Sequence, residues 1–298
     1  MNELLICGVD IGGSHITAAL VNMNSRQVLQ HTWRRSAVDA QAGTATIMEC
    51  WCKTIKDSFS ACGIKPTVIG IAMPGPFDYA EGISLMKNQN KYDALYKLNI
   101  KDLLAMHLGI ERNNIIIVND ALSFLQGEIF NGAAKYYNNV MGITLGTGFG
   151  SAKQVNNKTT DADLWCSPFL EGIAEDYFSS RWFVKRYLEL CGKQVNNVKE
   201  LMDMINQDTN VQFILDEFAN NLSLFLAPLI QVEEIEMVVM GGNISNGFDY
   251  FSKQLKTCLS TLVPGVKIEK NVLGESAALI GAASNCSNSK MFGYKAFA

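Results

Sequence analysis

One glycine-rich sequence is written twice in this chain, first as Gly8-Val9-Asp10-Ile11-Gly12-Gly13-Ser14-His15-Ile16-Thr17-Ala18 and again as Gly142-Ile143-Thr144-Leu145-Gly146-Thr147-Gly148-Phe149-Gly150-Ser151-Ala152. Each copy follows an apolar run, Leu4-Leu5-Ile6-Cys7 in one case and Val140-Met141 in the other. A buried strand therefore enters a turn in which glycine permits positive φ and close approach of another backbone. A repeated strand, turn and strand calls for two lobes built alike. Turns of this kind leave backbone N–H groups pointing outward, and two of them facing one another would cradle a chain of phosphates. The copies differ where Asp10 of the first becomes Thr144 of the second. A single carboxylate among phosphate-binding turns is where a magnesium ion would need an anionic anchor.

The remaining pattern supports the duplication. In the first lobe, apolar runs predict strands at 4–10, 15–22 and 27–34, followed by a helix over 44–62. Further strands at 68–73 and 115–118 run into Pro74-Gly75-Pro76 and Asn119-Asp120, with a helix over 100–108 between them. The second lobe opens with strands at 140–145 and 150–155 and closes with one at 237–240 that leads into Gly241-Gly242-Asn243. Aromatic and aliphatic residues between 171 and 221 recur at helical spacing and belong to a core. A duplicated mixed α/β fold follows, with lobes 1–118 and 119–274 and a C-terminal helix over about 275–298 that packs back on the first. Ordered crossings between the lobes would permit hinge closure.

Composition sets the class. With 298 residues and 48% hydrophobic content the chain can fill two cores. The net charge is −4 and no long basic run occurs, which argues against a nucleic-acid surface. The N-terminus enters a strand without a cleavable leader, and no apolar run reads as a membrane span, so a cytoplasmic protein is expected. The eight cysteines lack the paired short spacings of a zinc site and read as reduced, mostly buried thiols. Cys50 and Cys52 sit two apart on a helix, where side chains diverge, so they make a poor metal or redox pair.

These motifs resemble the ROK family (repressor, open reading frame, kinase) of sugar kinases, in the actin, hexokinase and Hsp70-like ATPase superfamily. The likeness spans nearly the whole chain. Asp10-Ile11-Gly12-Gly13-Ser14 is similar to the family's first phosphate motif and Leu145-Gly146-Thr147-Gly148-Phe149-Gly150 to its second. Gly70 to Asp78 is similar to its sugar-side loop, Ile117-Val118-Asn119-Asp120-Ala121 to the stretch carrying the sugar-binding Asn and catalytic Asp, and Val239-Met240-Gly241-Gly242-Asn243 to its adenosine motif. Ala277-Ala278-Leu279-Ile280-Gly281-Ala282-Ala283 resembles its closing helix. The resemblance implies ribonuclease H-like (actin-like ATPase) lobes around an interlobe cleft and ATP-dependent phosphorylation of a hexose, glucose-like first and an N-acetylhexosamine as the alternative. The partners implied are the sugar and ATP, with no nucleic acid and no membrane, and a homodimer is compatible because relatives often dimerise.

The same resemblance assigns roles. Asp120 would be the catalytic base, with Gly75, Asn90, Asn119, Asp120 and Glu175 on the sugar. Asp10, Gly12, Gly13, Ser14, Gly146, Thr147, Gly148, Gly241, Gly242 and Asn243 would serve ATP, and Asp10 would hold Mg through water. Each has a plainer alternative. Asn119 or Asp120 could cap a helix, Asp10 could form a turn, Ser14 and Thr147 could stabilise their own turns, and the glycine pair at 241–242 could be an ordinary turn. His15 reads as structural, and Lys153 and Lys158 as solvated lysines rather than phosphate ligands. The zinc-containing members carry a histidine segment and a cysteine cluster before a Gly-x-x-Glu sequence. Here residues 159–171 hold one cysteine, Cys166, and no histidine follows His107, so no zinc is expected and the contacts from that segment are unassigned. Family repressors carry a DNA-binding domain ahead of the first motif, which ten residues cannot hold, so the rival from another class is a non-catalytic sugar-sensing regulator.

Overall fold

The computed structural model describes residues 3–288. The chain divides into two units, the first running to Gly132 and resuming at Leu273, the second comprising Ala133–Val272.

In the first unit, β1 (Leu5–Ile11) pairs antiparallel with β2 (His15–Asn22), which pairs with the short β3 (Gln27–Val28) and with β4 (Arg34–Ala37). The expected single strand at 27–34 is broken by a 3-10 turn at Gln30–Thr32. The cause is Thr32, whose buried hydroxyl accepts from the Leu20 N–H at 2.9 Å and donates to Leu29 O at 2.6 Å, standing in for a ladder partner. Helix α1 (Thr44–Ser60) follows, burying Ile47, Trp51, Ile55 and Phe59 at a spacing of four that places them on one face. β5 (Ile69–Met73) then adds parallel to β1. A small hairpin, β6 (Phe77–Asp78) with β7 (Ile83–Ser84), leads to α2 (Ile100–Leu108), capped by the Asn99 side chain on the Asp102 N–H. β8 (Ile115–Asn119) completes the sheet beside β5, and α3 (Asp120–Asn131) follows without a break. The order is β3-β2-β1-β5-β8.

The second unit repeats this order as β11-β10-β9-β14-β15. β9 (Val140–Leu145), β10 (Phe149–Val155) and β11 (Lys158–Asp161) form an antiparallel meander, and β14 (Met237–Gly241) and β15 (Lys267–Lys270) add parallel to it. Strands β11 and β15 escape sequence reading because Lys158–Asp161 and Lys267–Lys270 carry too few apolar residues to alternate. A hairpin of β12 (Pro168–Phe169) and β13 (Gly172–Ile173) opens into α4 (Ala174–Phe178), α5 (Ser180–Cys191) and α6 (Val198–Asp203). The central helix α7 (Thr209–Val232) reaches membrane-spanning length and hydropathy, which corrects the expectation that no apolar run does so. It is nonetheless a core helix, burying Val211, Ile214, Leu215, Phe218, Leu222 and Leu226 beneath α8 (Phe248–Leu262) and an aromatic cluster of Phe149, Phe178, Phe183 and Phe225.

The last helix, α9 (Ser276–Asn288), packs in the first unit. Glycines let it lie directly on β1, β5 and α3. A Cβ on Gly8 would stand 2.1 Å from Leu279 O, one on Gly70 2.0 Å from Ala282 O, and one on Gly281 1.7 Å from Ser123 O. This contact also moves the boundary. Helix α3, assigned from sequence to the second lobe, stays with the first unit because Gly127 and Gly281 bring it against α9. The expected extension of that helix through 298 lies in part outside the described residues.

Candidate functional site

The candidate residues fall into one set in each unit. In the first unit, strand register aligns a row across the sheet. Arg35 of β4 faces Thr17 of β2, Thr17 faces Asp10 of β1, and Asp10 faces Ala72 of β5. Directly opposed residues share a face of the sheet. Gly8, two positions before Asp10, meets α9 on that same face. Glu275, just ahead of α9, binds Arg35 with both carboxylate oxygens at 2.9 and 3.0 Å. Asp10 is thereby placed among charges. Burial first, then the nearby Asp120 and Glu275 carboxylates, push its pKa up to about 7, while Arg35 opposes the shift. Unbalanced negative charge on hard oxygen donors suits a divalent cation. Among the described residues no three or more His, Cys, Asp or Glu side chains are arranged to hold a metal by themselves.

The first glycine turn is fixed from within. The Gly12 N–H donates to His15 O at 2.9 Å, and the Gly12 carbonyl accepts from the Tyr92 hydroxyl at 2.6 Å. Tyr92 is fully buried with its ring edge-on to Trp51, so the turn is anchored to α1. Neither Gly12 nor Gly13 has positive φ, contrary to the expectation from sequence. Gly13 is instead distinguished by space, because a Cβ there meets no protein atom within 4 Å. The glycine leaves room that packing does not demand. Ser14 Oγ lies 2.8 Å from His15 Nδ1, both side chains exposed, and the Ser14 carbonyl accepts from Val38 N–H.

At the end of β8 the capping alternative holds for Asn119. Asn119 is the cap of α3, its Oδ1 accepting from the N–H groups of Ala121 at 2.8 Å and Leu122 at 3.1 Å. Its Nδ2 reaches the Tyr79 hydroxyl at 3.3 Å, which in turn donates to Met73 O. That network leaves Asp120 as the first helical residue, in solvent contact, with Oδ1 on the Ala121 N–H at 2.9 Å. Desolvation by the surrounding protein raises the Asp120 pKa, while the helix N–H and Lys91 lower it. Gly75 lies close by, its Cβ position 3.3 Å from the Tyr79 hydroxyl. Asn90 stands exposed in the left-handed region, φ 57°, two residues before Tyr92.

In the second unit, Gly146, Thr147 and Gly148 link β9 to β10. The Gly146 N–H donates to Gly148 O, and the Gly146 carbonyl accepts both the N–H and the hydroxyl of Ser180, each at 2.8 Å. These glycines also lack positive φ, and a Cβ on Gly146 would meet nothing within 4 Å. Gly241 faces Thr144 across the ladder. Gly242 does require glycine, with φ 84° and a Cβ position 2.3 Å from Leu145 O. The Gly241-Gly242-Asn243 segment is thus pressed against the end of the strand that carries the second glycine turn, with Asn243 exposed at the start of a 3-10 helix. Glu175 joins the same neighbourhood. Its Oε2 accepts the Phe149 N–H at 3.2 Å and its Oε1 binds Arg181 at 2.8 Å.

Sequence reasoning missed Arg35, Glu275, Tyr92, Ser180 and Arg181. Tyr92 had a weak signal in standing beside Asn90, whereas Arg35 and Glu275 meet only through strand register and the return of α9. Lys153 is not the solvated lysine expected, since it pairs with Glu233. Lys158 is exposed, as expected. Cys50 and Cys52 stand apart, Cys52 buried and Cys50 with its thiol 3.4 Å from Ala37 O.

The sequence profile of the ROK family matches residues 6–163 and 165–288. The chain is 25% identical over 312 residues to an N-acetyl-D-glucosamine kinase of Haemophilus influenzae, covering 93% of this chain and 97% of that protein. It is 24% identical over 320 residues to a glucokinase of Thermotoga maritima, covering 95% and 98%. Its fold matches that of a ROK family glucokinase from Streptomyces griseus, solved with glucose and AMPPNP, with a TM-score of 0.74 and 22% identity over 95% of this chain and 99% of that one.

Proposed function

The chain belongs to the ROK family, and from that premise we propose that it transfers the γ-phosphoryl group of ATP to a hydroxyl of a hexose, glucose-like or N-acetylated. Relatives of both kinds align over nearly the full chain. The observation that carries the reading is the Asn119-Asp120 pair. Asn119 caps the helix through the Ala121 and Leu122 N–H groups, and Asp120 shares the Ala121 N–H through Oδ1 while remaining in solvent contact. In this reading Asp120 accepts the proton of the sugar hydroxyl as that oxygen attacks phosphorus. Phosphoryl transfer passes through a loose transition state, so orienting the nucleophile matters more than base strength. A raised pKa helps the carboxylate receive the proton.

Asp10 would anchor magnesium, and the charge around it supplies the reason. Bound there, the ion would neutralise charge gathering on the phosphoryl oxygens. The backbone of the exposed residues Gly13 and Ser14, and the Gly146-Thr147-Gly148 turn with its Thr147 hydroxyl, would contact phosphates, while Gly241, Gly242 and Asn243 would receive the adenosine. Gly75, Asn90, Asn119 and Glu175 would hold the sugar with Asp120. ATP use and the lack of any disulfide among the described residues accord with a cytoplasmic enzyme. Retention of both Asp10 and Asp120 supports catalysis over silent sensing.

The test is ADP release coupled to a spectroscopic readout, with magnesium and ATP, across hexoses, hexosamines and N-acetylhexosamines. Turnover with one class is expected, falling about a thousandfold in Asp120→Asn while sugar binding by calorimetry persists. Unchanged turnover in the variant would remove Asp120 as base, and silence of the native protein across the panel would overturn the kinase reading.

A further inference from the structure

The segment that leads into Glu175 carries two apolar side chains which the assigned roles leave unused. Trp165, in the 3-10 turn Leu164–Cys166, is 46% exposed, and Leu170, at the tip of the β12–β13 hairpin, is 65% exposed. The indole is held in place. The indole N–H of Trp165 donates to Asp163 Oδ1 at 2.7 Å, and Asp163 itself sits in the left-handed region at φ 50°. Leu170 occupies the first position of a two-residue hairpin turn with φ 48°, where Gly or Asn would be at ease. Its neighbour Phe169 points the other way, against Tyr177, Phe178 and Phe225. A bulky apolar residue kept under strain in solvent is a reason to look for a ligand.

The segment is tied to the rest of the second unit on both sides. The Leu164 N–H donates to Ser151 Oγ at 3.0 Å on β10, and the Ala174 N–H donates to Ser167 O at 2.9 Å at the start of the helix that carries Glu175. Glu175 in turn holds the Phe149 N–H at the end of the second glycine turn. A rigid flap therefore joins an exposed indole to the helix of a proposed sugar ligand. An indole offers a flat apolar surface with a slightly negative face, which suits the C–H bonds on one side of a pyranose ring or the methyl of an acetamido group.

We propose that Trp165, with Leu170 on the same segment, is a specificity-determining platform on which the acceptor sugar stacks. This rests on the sugar-kinase reading. The contact is made equally with ground and transition states, so it governs KM rather than kcat.

The experiment compares Trp165→Ala, Trp165→Phe and Leu170→Asn with the native enzyme, measuring sugar KM, ATP KM, kcat and unfolding midpoint. Trp165→Ala should raise sugar KM about tenfold with kcat and ATP KM near native, and Trp165→Phe should recover most of the loss. Leu170→Asn should raise the unfolding midpoint by relieving the turn, yet raise sugar KM, a pairing that a purely structural role cannot produce. Native sugar KM in Trp165→Ala, with the native enzyme turning over, overturns the platform and leaves the kinase reading standing. Should no sugar be turned over or quench the native tryptophan fluorescence, the kinase reading fails and the platform with it.

Discussion

Replacing Asp10 by Asn should weaken the enzyme and strengthen the fold. Asp10 must ionise where burial and the Asp120 and Glu275 carboxylates resist it, and its pKa stands at about 7 against an ordinary 3.8. A folded pKa above the unfolded one means that the native state binds the extra proton between these values, so stability falls as pH rises through that window. About three units at 1.36 kcal/mol each give an upper bound of ~4 kcal/mol. The solvent contact that Asp10 keeps reduces this to about 2 kcal/mol. Asn keeps the shape and never ionises. The variant should therefore match the native protein at pH 4, where both carry a neutral side chain, and exceed it at pH 8 by about 2 kcal/mol, a rise of roughly 5 °C in midpoint. The assay is thermal or urea unfolding at several pH values without nucleotide, followed by titration of magnesium and ATP, whose stabilisation should be reduced in the variant. An Asp10→Asn protein less stable than native at pH 8 would refute the claim that this carboxylate is held against its own electrostatics.

The glycines of the two kinds should behave oppositely. Gly146→Ala meets open space and should change stability by less than ~1 kcal/mol, while raising the KM for ATP, measured in the coupled assay. Gly281→Ala would force a methyl to 1.7 Å from Ser123 O, so it should destabilise the first unit by several kcal/mol or prevent folding, read by circular dichroism and soluble yield. Tyr92→Phe strips the donor from the part-buried Gly12 carbonyl and should cost about 1 kcal/mol in urea unfolding and slacken the first glycine turn, seen as a higher ATP KM.

Much of this was legible in the residues. The doubled glycine sequence announced two lobes before any coordinates, because strand and turn chemistry are local and the order of apolar runs fixes which strands exist. Asn119 and Asp120 were read as a cap and a group facing the cleft, and the structure gives the cap to Asn119, with Asp120 sharing one helix N–H. The positive φ expected of the glycine turns is absent at Gly12, Gly13, Gly146 and Gly148. Sequence shows that a side chain is missing, but not whether φ, packing or a ligand requires the gap. Only Gly242 among the candidate positions needs positive φ, whereas Gly13 and Gly146 border empty space and Gly8, Gly70 and Gly281 admit a helix.

What the sequence alone determined is the duplicated strand order, the glycine turns and the carboxylates at the ends of β1 and β8, since each depends on neighbours along the chain. The tertiary structure decided which distant groups surround them. Arg35 reaches the row of Asp10 through two strand pairings, and Glu275 arrives with a helix more than two hundred residues downstream that returns to the first sheet. Burial and charge then set the carboxylate pKa values, and these are properties of everything nearby in space, which local spacing does not encode.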